Sequence, residues 1–224
     1  MPKDFCGNPD IEYTVNYDNP LLLYNWVEKL DLTCRPQWQI GLLGAALFAG
    51  MILSFFMPLL SDKYGRKSFF QVGVTVNLFA YTFILINTSF WIQVGLLFLV
   101  GLNSTTTYVI GFGYLQEFVS NDVKSIYATC WNLSEGMIFV YSTIYYWKID
   151  RHWIYILTFG YFLCWLSWLG AFFLPESPVF LINNSRLAEA RKSFEVIGKW
   201  NKRESKFDEN DFPEKQEKKK KEEV

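Results

Sequence analysis

A long internal stretch without charge is the feature that most restricts how this chain can fold. Segment 68–116 contains no Asp, Glu, Lys or Arg, and segments 40–60 and 153–174 are also free of charge. A membrane-spanning helix needs about 20 mostly apolar residues, and each of these segments is long enough to supply at least one. The pattern therefore indicates an integral membrane protein rather than a soluble domain.

Short polar joints divide the apolar part of the chain into several candidate spans. Only helices and closed barrels satisfy every backbone polar group in lipid, and these runs lack the alternation of apolar and polar residues that barrel strands show. We therefore predict an all-α fold, namely a polytopic transmembrane helix bundle of about five spans. The predicted spans are 40–60, 68–86, 90–116, 125–147 and 153–174.

Polar segments around the bundle complete a four-part organisation. Segment 1–39 is predicted to be a polar region outside the membrane, and the five-helix transmembrane domain follows at 40–174. In segment 175–200, apolar residues recur at helical spacing among basic residues, which is typical of an amphipathic helix on a membrane surface. Segment 201–224 is highly charged and is predicted to be a solvated tail.

The positions of basic residues predict the orientation of the bundle. Joint 61–67 carries three Lys and Arg residues and segment 186–199 carries four, whereas joint 87–89 carries none. Basic residues near span ends favour the inner side of the membrane, so both basic segments are placed inside and the amino terminus outside. Two basic residues in the outer joint 148–152 count against this orientation.

Cysteine spacing and the remaining motifs argue against several classes of function. Cys6 and Cys34 lie on the same side of the first span and could form a disulfide in an oxidising compartment, and two free thiols are the alternative. No short paired spacing predicts a metal site. The sequence has neither a nucleophile with a nearby base nor a Gly-rich phosphate loop, so neither an enzyme nor a cofactor is expected. No broad basic surface predicts a nucleic-acid partner.

Three polar residues inside the predicted spans form a candidate intramembrane site. Glu135 is the clearest ionisable residue there, Asn132 precedes it by three positions, and Asn103 lies in the middle of the third span. A carboxylate in lipid is costly and is expected to face a partner group or water. Glu135 would hold a cation or relay a proton in a functional role, or bond a neighbouring chain in a structural one. Asn103 is expected to bond another helix or to line a cavity.

The joint after the first span carries a motif with a known counterpart. Asp62, Gly65, Arg66 and Lys67 have types and spacing that resemble the loop between the second and third helices of the major facilitator superfamily of transporters. Gly65 permits a tight turn, and the basic residues keep the loop inside. Asp62 is expected to lie against the positive end of a neighbouring helix.

Further matches along the chain support this resemblance. Glu117 and Lys124 resemble the acidic and basic pair after the family's fourth helix, although Lys124 replaces the usual Arg. Segment 26–34 is more similar to the organic cation and anion branch of the family than to the sugar porters, which are the second choice. The signature after the family's sixth helix is matched by Pro175, Glu176, Ser177 and Pro178.

Departures from the family pattern affect the expected function. Segment 1–25 holds no run long enough to cross a membrane, so the family's first helix is expected to be missing, and its second half is expected to be missing after residue 224. Pro58 also stands where the family has Gly. Transporters of this kind bind their substrate between two halves that rock about it. The chain alone is therefore not expected to complete a transport cycle.

These features lead to two expectations about function. The first is a transporter-derived integral membrane subunit with a structural or accessory role in a larger membrane protein complex. The alternative is one half of a split organic-ion or sugar transporter that works by alternating access with a separate second half. Expected partners are the lipid bilayer and other membrane subunits, with a small organic ion only under the alternative. The expected location is the mitochondrial inner membrane or the plasma membrane.

Overall fold

In a computed structural model of the protein, the described part of the chain is helical, which confirms the predicted all-α fold. The structure describes Cys6, Asn16, Asp18, Asn19, Leu22 and residues 24–202. Nearly all of the predicted charged tail at 201–224 therefore lies outside the described residues.

The helices follow one another with short connections. Their bounds are α1 Trp26–Lys29, α2 Gln37–Tyr64, α3 Arg66–Ile86, α4 Phe90–Gln116, α5 Lys124–Ile144, α6 Trp153–Phe173, α7 Pro178–Asn183 and α8 Leu187–Trp200. A π-helical turn at Tyr145–Ile149 extends α5. We call the end of the bundle at which α1 lies the α1 end, and the opposite end, at which α7 lies, the α7 end.

Within the described residues, α2, α3, α4 and α6 are each long and apolar enough to cross a membrane. The fourth predicted span, 125–147, corresponds to α5, which holds more polar residues than the other four. The neighbours of α5 show where it runs. The Tyr114 hydroxyl near the end of α4 donates to the Pro175 carbonyl, so α4 and α6 end at the same face. At the other end of α6, Trp153 packs edge-to-face against Trp26. Because α5 joins the end of α4 to the start of α6, it runs from one face to the other.

Helices α2 and α4 pack in direct backbone contact. A Cβ atom at Gly50 would overlap the Phe98 carbonyl oxygen, and a Cβ atom at Gly101 would overlap the Leu47 carbonyl oxygen. Small residues allow helices to approach this closely in lipid, where the hydrophobic effect does not drive packing. The two glycines therefore fix the distance between α2 and α4.

Both of these helices are irregular beside the contact. Helix α2 tightens into a 3₁₀ turn at Ser54–Phe56, just before Pro58, which has no N–H to bond a carbonyl of that turn. Helix α4 widens into a π-helical turn at Thr106–Ile110. The Ser54 hydroxyl donates to the Thr105 hydroxyl and so joins the two irregular regions. Such π turns are frequent at functional sites.

The segment before α2 packs on the bundle more closely than its polar composition suggests. Leu30 and Leu32 are buried at the α1 end against Leu43 and Phe90. A disulfide joins Cys6 to Cys34, which decides between the two alternatives for these cysteines. The part of the predicted region 1–39 that contains Leu30 and Leu32 therefore packs against the ends of the helices.

At the α7 end, α7 and α8 pack against each other through Phe180, Leu181 and Ala190. The structure confirms a helix in the segment predicted to be amphipathic. Its position on the membrane surface, like the four-part organisation of the chain, stays a prediction.

Candidate functional site

Gly65 forms the turn between α2 and α3 and has a backbone conformation that favours glycine. Its φ angle is 111°, a region that residues with a Cβ atom rarely adopt. A Cβ atom there would also lie 2.8 Å from Oε2 of Glu176. Both the backbone and the space at this turn therefore require glycine, as the motif predicts.

Arg66, the first residue of α3, binds two carboxylates. Its Nε and Nη2 atoms donate to Oδ1 of Asp62 over 3.2 and 3.0 Å, and its Nη1 atom pairs with Oε1 of Glu117. The Glu117 side chain is 13% exposed, whereas that of Asp62 is 59% exposed. A charge this shielded from water requires a partner, so the pair with Glu117 is the structurally important one.

Ser177 connects Glu117 to the start of α7. Its hydroxyl donates to Oε2 of Glu117 and accepts the backbone N–H of Phe180 over 3.1 Å. The second interaction is an N-cap, in which a side-chain oxygen satisfies a free N–H in the first turn of a helix. Pro178 occupies the first position of α7, where its missing N–H is not needed. One buried hydroxyl thus links the end of α4 to the segment after α6.

Glu176 closes the network from the other side. Its Oε1 atom accepts the backbone N–H of Lys67 and that of Ser177, both over 3.0 Å. The prediction for Asp62 was therefore wrong: Asp62 binds the Arg66 guanidinium, and Glu176 is the carboxylate at the positive amino end of α3. A carboxylate is favourable there because the first N–H groups of a helix lack backbone partners.

The motif residues are thus brought together at the α7 end. One predicted pair does not form, and one further residue takes part. In the described part of the chain no ion pair joins Glu117 to Lys124, because Arg66 takes that carboxylate and Lys124 begins α5. Tyr114, whose hydroxyl binds the Pro175 carbonyl, was missed by sequence reasoning because it lies in an apolar span. The only signal was its spacing, which places it one turn before Glu117 on the same helix face.

Glu135 lies midway along α5, beside a cavity in the membrane-spanning part of the bundle. The cavity has a volume of about 340 Å³ and is lined by Thr107, Tyr108, Trp131, Ser134, Glu135 and Ile138. Thr107 and Tyr108 also line a neighbouring cavity of about 410 Å³. The carboxylate and the Trp131 and Tyr108 rings therefore share one space.

The neighbouring cavity contains Asn77 of α3, whose amide nitrogen donates to the Thr107 hydroxyl over 3.5 Å. Its amide oxygen is buried without a hydrogen-bond partner among the described residues. Asn103 and Asn132 behave differently, because each donates to a carbonyl of its own helix over 3.0 Å. Neither lines the cavity beside Glu135, so the predicted intramembrane set is reduced to Glu135.

Comparison with known proteins identifies the family. The family model described as "Sugar (and other) transporter" matches residues 12–224. The chain belongs to this transporter family. It is 29% identical to solute carrier family 22 member 4 of Mus musculus over 190 residues, which cover 83% of this chain and 34% of the relative. It is 30% identical to organic cation/carnitine transporter 2 of the same species over 193 residues, 81% of this chain and 34% of the relative.

A relative with lower identity is also named as a transporter. The carcinine transporter of Drosophila melanogaster is 27% identical over 192 residues, which cover 84% of this chain and 28% of that protein. The chain thus spans about a third of the length of the relatives it matches. Membership in the sugar (and other) transporter family, together with the similarity to these relatives, confirms the resemblance to the organic-ion branch of the major facilitator superfamily. It also confirms an integral membrane protein that is not an enzyme.

Proposed function

We propose that this chain is one half of an organic-ion transporter that works by alternating access with a second set of membrane helices. The network at the α7 end carries this proposal. In alternating access each half moves largely as a rigid body about a central site. Arg66 and Glu117 tie α3 to α4, and Glu176 ties the segment after α6 to α3, which suits helices that move together.

A purely structural role gives no comparable reason for this network. Well-packed apolar residues often stabilise a fold as well as a buried ion pair does. Charged and hydrogen-bonded contacts have defined geometry, so they hold α3, α4 and the segment after α6 in one arrangement while the half moves as a rigid body. The combination of Arg66, Glu117 and Glu176 therefore favours a moving part over a static scaffold.

The cavity beside Glu135 supports a small organic cation as the substrate class. A carboxylate within the membrane attracts a cation, and the rings of Trp131 and Tyr108 offer the cation–π contacts by which proteins bind organic ammonium groups. The names of relatives described as organic cation/carnitine transporters point to the same class.

Transport is tested on the native membrane complex that contains this chain, reconstituted into liposomes. Uptake of labelled tetraethylammonium is compared for the wild type, Glu135→Gln and Asn132→Ala. We expect Glu135→Gln to lower uptake by about tenfold or more, the equivalent of one lost charge contact. The control Asn132→Ala changes an exposed amide bonded to its own helix and should leave uptake unchanged. No uptake by the wild-type complex would overturn the transport proposal.

A structural or accessory role in a larger membrane complex is the second candidate. It is favoured by α5, in which no residue of Lys124–Ile144 is buried, because so open a helix offers a contact surface for other subunits. Isolation in mild detergent followed by mass spectrometry separates the candidates. Many unrelated subunits would indicate the accessory role, whereas one companion with further transporter helices would indicate a split transporter.

We propose the plasma membrane as the location. The disulfide between Cys6 and Cys34 lies at the α1 end, and disulfides persist mainly in oxidising compartments such as the cell exterior. The basic residues at 61–67 place the opposite end inside. An epitope tag at the amino terminus should therefore be stained by antibody on intact cells. Staining confined to mitochondria after permeabilisation would overturn this location.

A further inference from the structure

Two cavities meet at the π-helical turn of α4. Thr107 and Tyr108 lie on this turn and line both the cavity of about 340 Å³ beside Glu135 and the cavity of about 410 Å³ that contains Asn77. The first cavity offers a carboxylate and aromatic rings. The second offers the amide of Asn77 and the hydroxyl of Ser104. The two cavities are therefore adjacent but differ in their chemistry.

Asn77 and Glu135 lie at the same depth in the bundle. Glu135 is 11 residues past the first residue of α5, and Asn77 is 11 residues past the first residue of α3. Both helices begin at the α7 end, so each side chain lies about 17 Å along its helix axis. This depth is near the middle of a bilayer core, where transporters that work by alternating access bind their substrates.

Hydrogen bonding decides which end of the Asn77 amide is free. A hydroxyl group has one hydrogen to donate, and that of Thr107 goes to the Asn103 carbonyl over 3.0 Å. The Thr107 oxygen can therefore only accept from Asn77, and it takes the amide nitrogen, at 3.5 Å. The amide oxygen of Asn77 is left without a partner among the described residues. Because Asn77 is only 8% exposed, this unpaired acceptor is costly.

Ser104 gives the same cavity a second acceptor. Its hydroxyl donates to the Gly101 carbonyl of its own helix over 2.7 Å, so its lone pairs remain available and its hydrogen does not. A group that enters this cavity is thus stabilised when it brings a hydrogen-bond donor. A methyl group in the same place would leave the Asn77 oxygen unsatisfied, and such a mismatch is the basis on which polar sites reject apolar analogues.

We propose that Asn77 makes the site selective for organic cations that carry a hydrogen-bond donor, an O–H or N–H group, on an arm attached to the ammonium centre. The inference rests on the proposed function, in which the ammonium group occupies the cavity of Glu135. The arm extends past Thr107 into the adjoining cavity, where its donor meets the amide oxygen of Asn77. The preferred substrates are therefore hydroxyalkyl or aminoalkyl ammonium ions rather than tetraalkyl ones.

An ordered water is the other group that could satisfy the Asn77 oxygen, and a cavity of about 410 Å³ has room for one. The two occupants make different predictions. A water would satisfy this oxygen whichever cation is bound, so the affinity would not depend on a donor in the cation. A donor on the cation makes the affinity depend on that donor and on Asn77.

Matched pairs of cations test the inference on the native membrane complex that contains this chain, in mild detergent. Each pair consists of a trimethylammonium ion with a terminal hydroxyl and the ion of equal length with a methyl group in its place. Choline and propyltrimethylammonium are the shortest pair, and longer linkers extend the series. Binding is measured by competition with labelled tetraethylammonium, which has no donor. At the linker length that spans both cavities, we expect the hydroxyl ion to bind about tenfold more tightly, the effect of one unsatisfied buried acceptor.

Substitution of Asn77 assigns the preference to this side chain. Asn77→Leu is similar in shape and lacks the acceptor, so the preference should fall to about one while tetraethylammonium binds as in the wild type, which also shows that the variant is folded. The control Asn103→Leu makes the same change at an amide that donates to the Leu99 carbonyl of its own helix, and it should keep the preference. A preference that survives Asn77→Leu would overturn the inference. Equal affinities within every wild-type pair would overturn it without any variant.

Uptake into liposomes is a separate readout that distinguishes this inference from the proposed function. Binding with the expected preference but without uptake would count against the transport proposal only. Uptake of tetraethylammonium by a complex that binds both members of every pair equally would count against the role of Asn77 only.

Discussion

The guanidinium group of Arg66 forms an ion pair with the carboxylate of Glu117 and so joins the first residue of α3 to the residue that follows α4. A second contact to Asp62 comes from the end of α2. Three helices therefore meet at one side chain. The geometry depends on the fork of donors that a guanidinium group presents and that an ammonium group lacks.

Arg66→Ala is expected to destabilise the protein because it leaves the shielded carboxylate of Glu117 without its cation. We expect a loss of about 1–3 kcal/mol, the typical penalty for an unpaired polar group, since both partners keep some contact with water. Arg66→Lys should recover only part of this, because an ammonium group cannot bind Asp62 and Glu117 in the same way. Thermal unfolding in detergent measures both changes.

The control for this experiment is Arg186→Ala. Arg186 also forms an ion pair, with Glu189 within the segment around α8, but both side chains are about half exposed. Exposed ion pairs contribute little to stability, so this change should leave the unfolding temperature nearly unaltered. Equal effects of the two alanine substitutions would contradict the assigned importance of Arg66.

Gly65→Ala is expected to destabilise the turn for two separable reasons. The positive φ angle strains any residue with a Cβ atom, at a cost of about 1–3 kcal/mol, and the added atom would crowd Glu176. Replacing Glu176 by Ala in the same chain removes the crowding but not the strain. We therefore expect the Cβ atom to cost less free energy of unfolding when Glu176 is already Ala. The control Gly44→Ala, in open space on α2, should cause no loss because Ala favours helices.

Much of the fold follows from charge distribution alone. The absence of charge over 68–116 defines two spans, because burial in lipid excludes unpaired charges regardless of packing. Helix α5 shows the limit of this reasoning. Its Trp, Tyr, Ser and Thr residues lower its hydropathy, so the span predicted at 125–147 is less clear than the others by composition, and the contacts of Tyr114 with Pro175 and of Trp26 with Trp153 support its course across the bundle.

The candidate site was predictable as a set of residues but not as a set of pairs. Glu176 reaches the backbone of Lys67 across 109 positions of sequence, and no local pattern specifies which carboxylate will lie at the start of α3. The same reason explains why Glu117 was associated with Lys124. For Cys6 and Cys34, their spacing gives no information about distance, so the disulfide could be decided only by the structure.

Gly101→Ala is expected to separate α2 from α4. A Cβ atom at this position would overlap the backbone of Leu47, and a rigid backbone cannot give way as a side chain tip can. Overpacking of this kind typically costs about 1–3 kcal/mol. The matched control is Gly95→Ala on the same helix, where no atom lies within 4 Å of the added Cβ. Thermal unfolding that is unchanged in both variants would contradict the close contact.

Lys29 at the α1 end should make stability depend on pH. Its ammonium group donates to the carbonyls of Ile84 and Leu85 at the end of α3 and lies 5.0 Å from the centre of the Trp153 ring. Burial lowers the pKa of Lys29 below its ordinary value of 10.5. Between the lowered pKa and 10.5, the unfolded chain holds a proton that the folded chain has released, so stability rises with pH across that window.

The neutral amine still has two N–H groups for the two carbonyls, so deprotonation relieves the desolvation of the charge without breaking these hydrogen bonds. Comparison with Lys29→Met isolates this contribution, because all other titrating groups are common to both proteins. We expect the wild type to gain unfolding temperature relative to Lys29→Met as the pH rises from 7 toward 10. A constant difference would mean that the hydrogen bonds to Ile84 and Leu85 compensate fully for burial, and a falling difference would mean that they raise the pKa above its ordinary value.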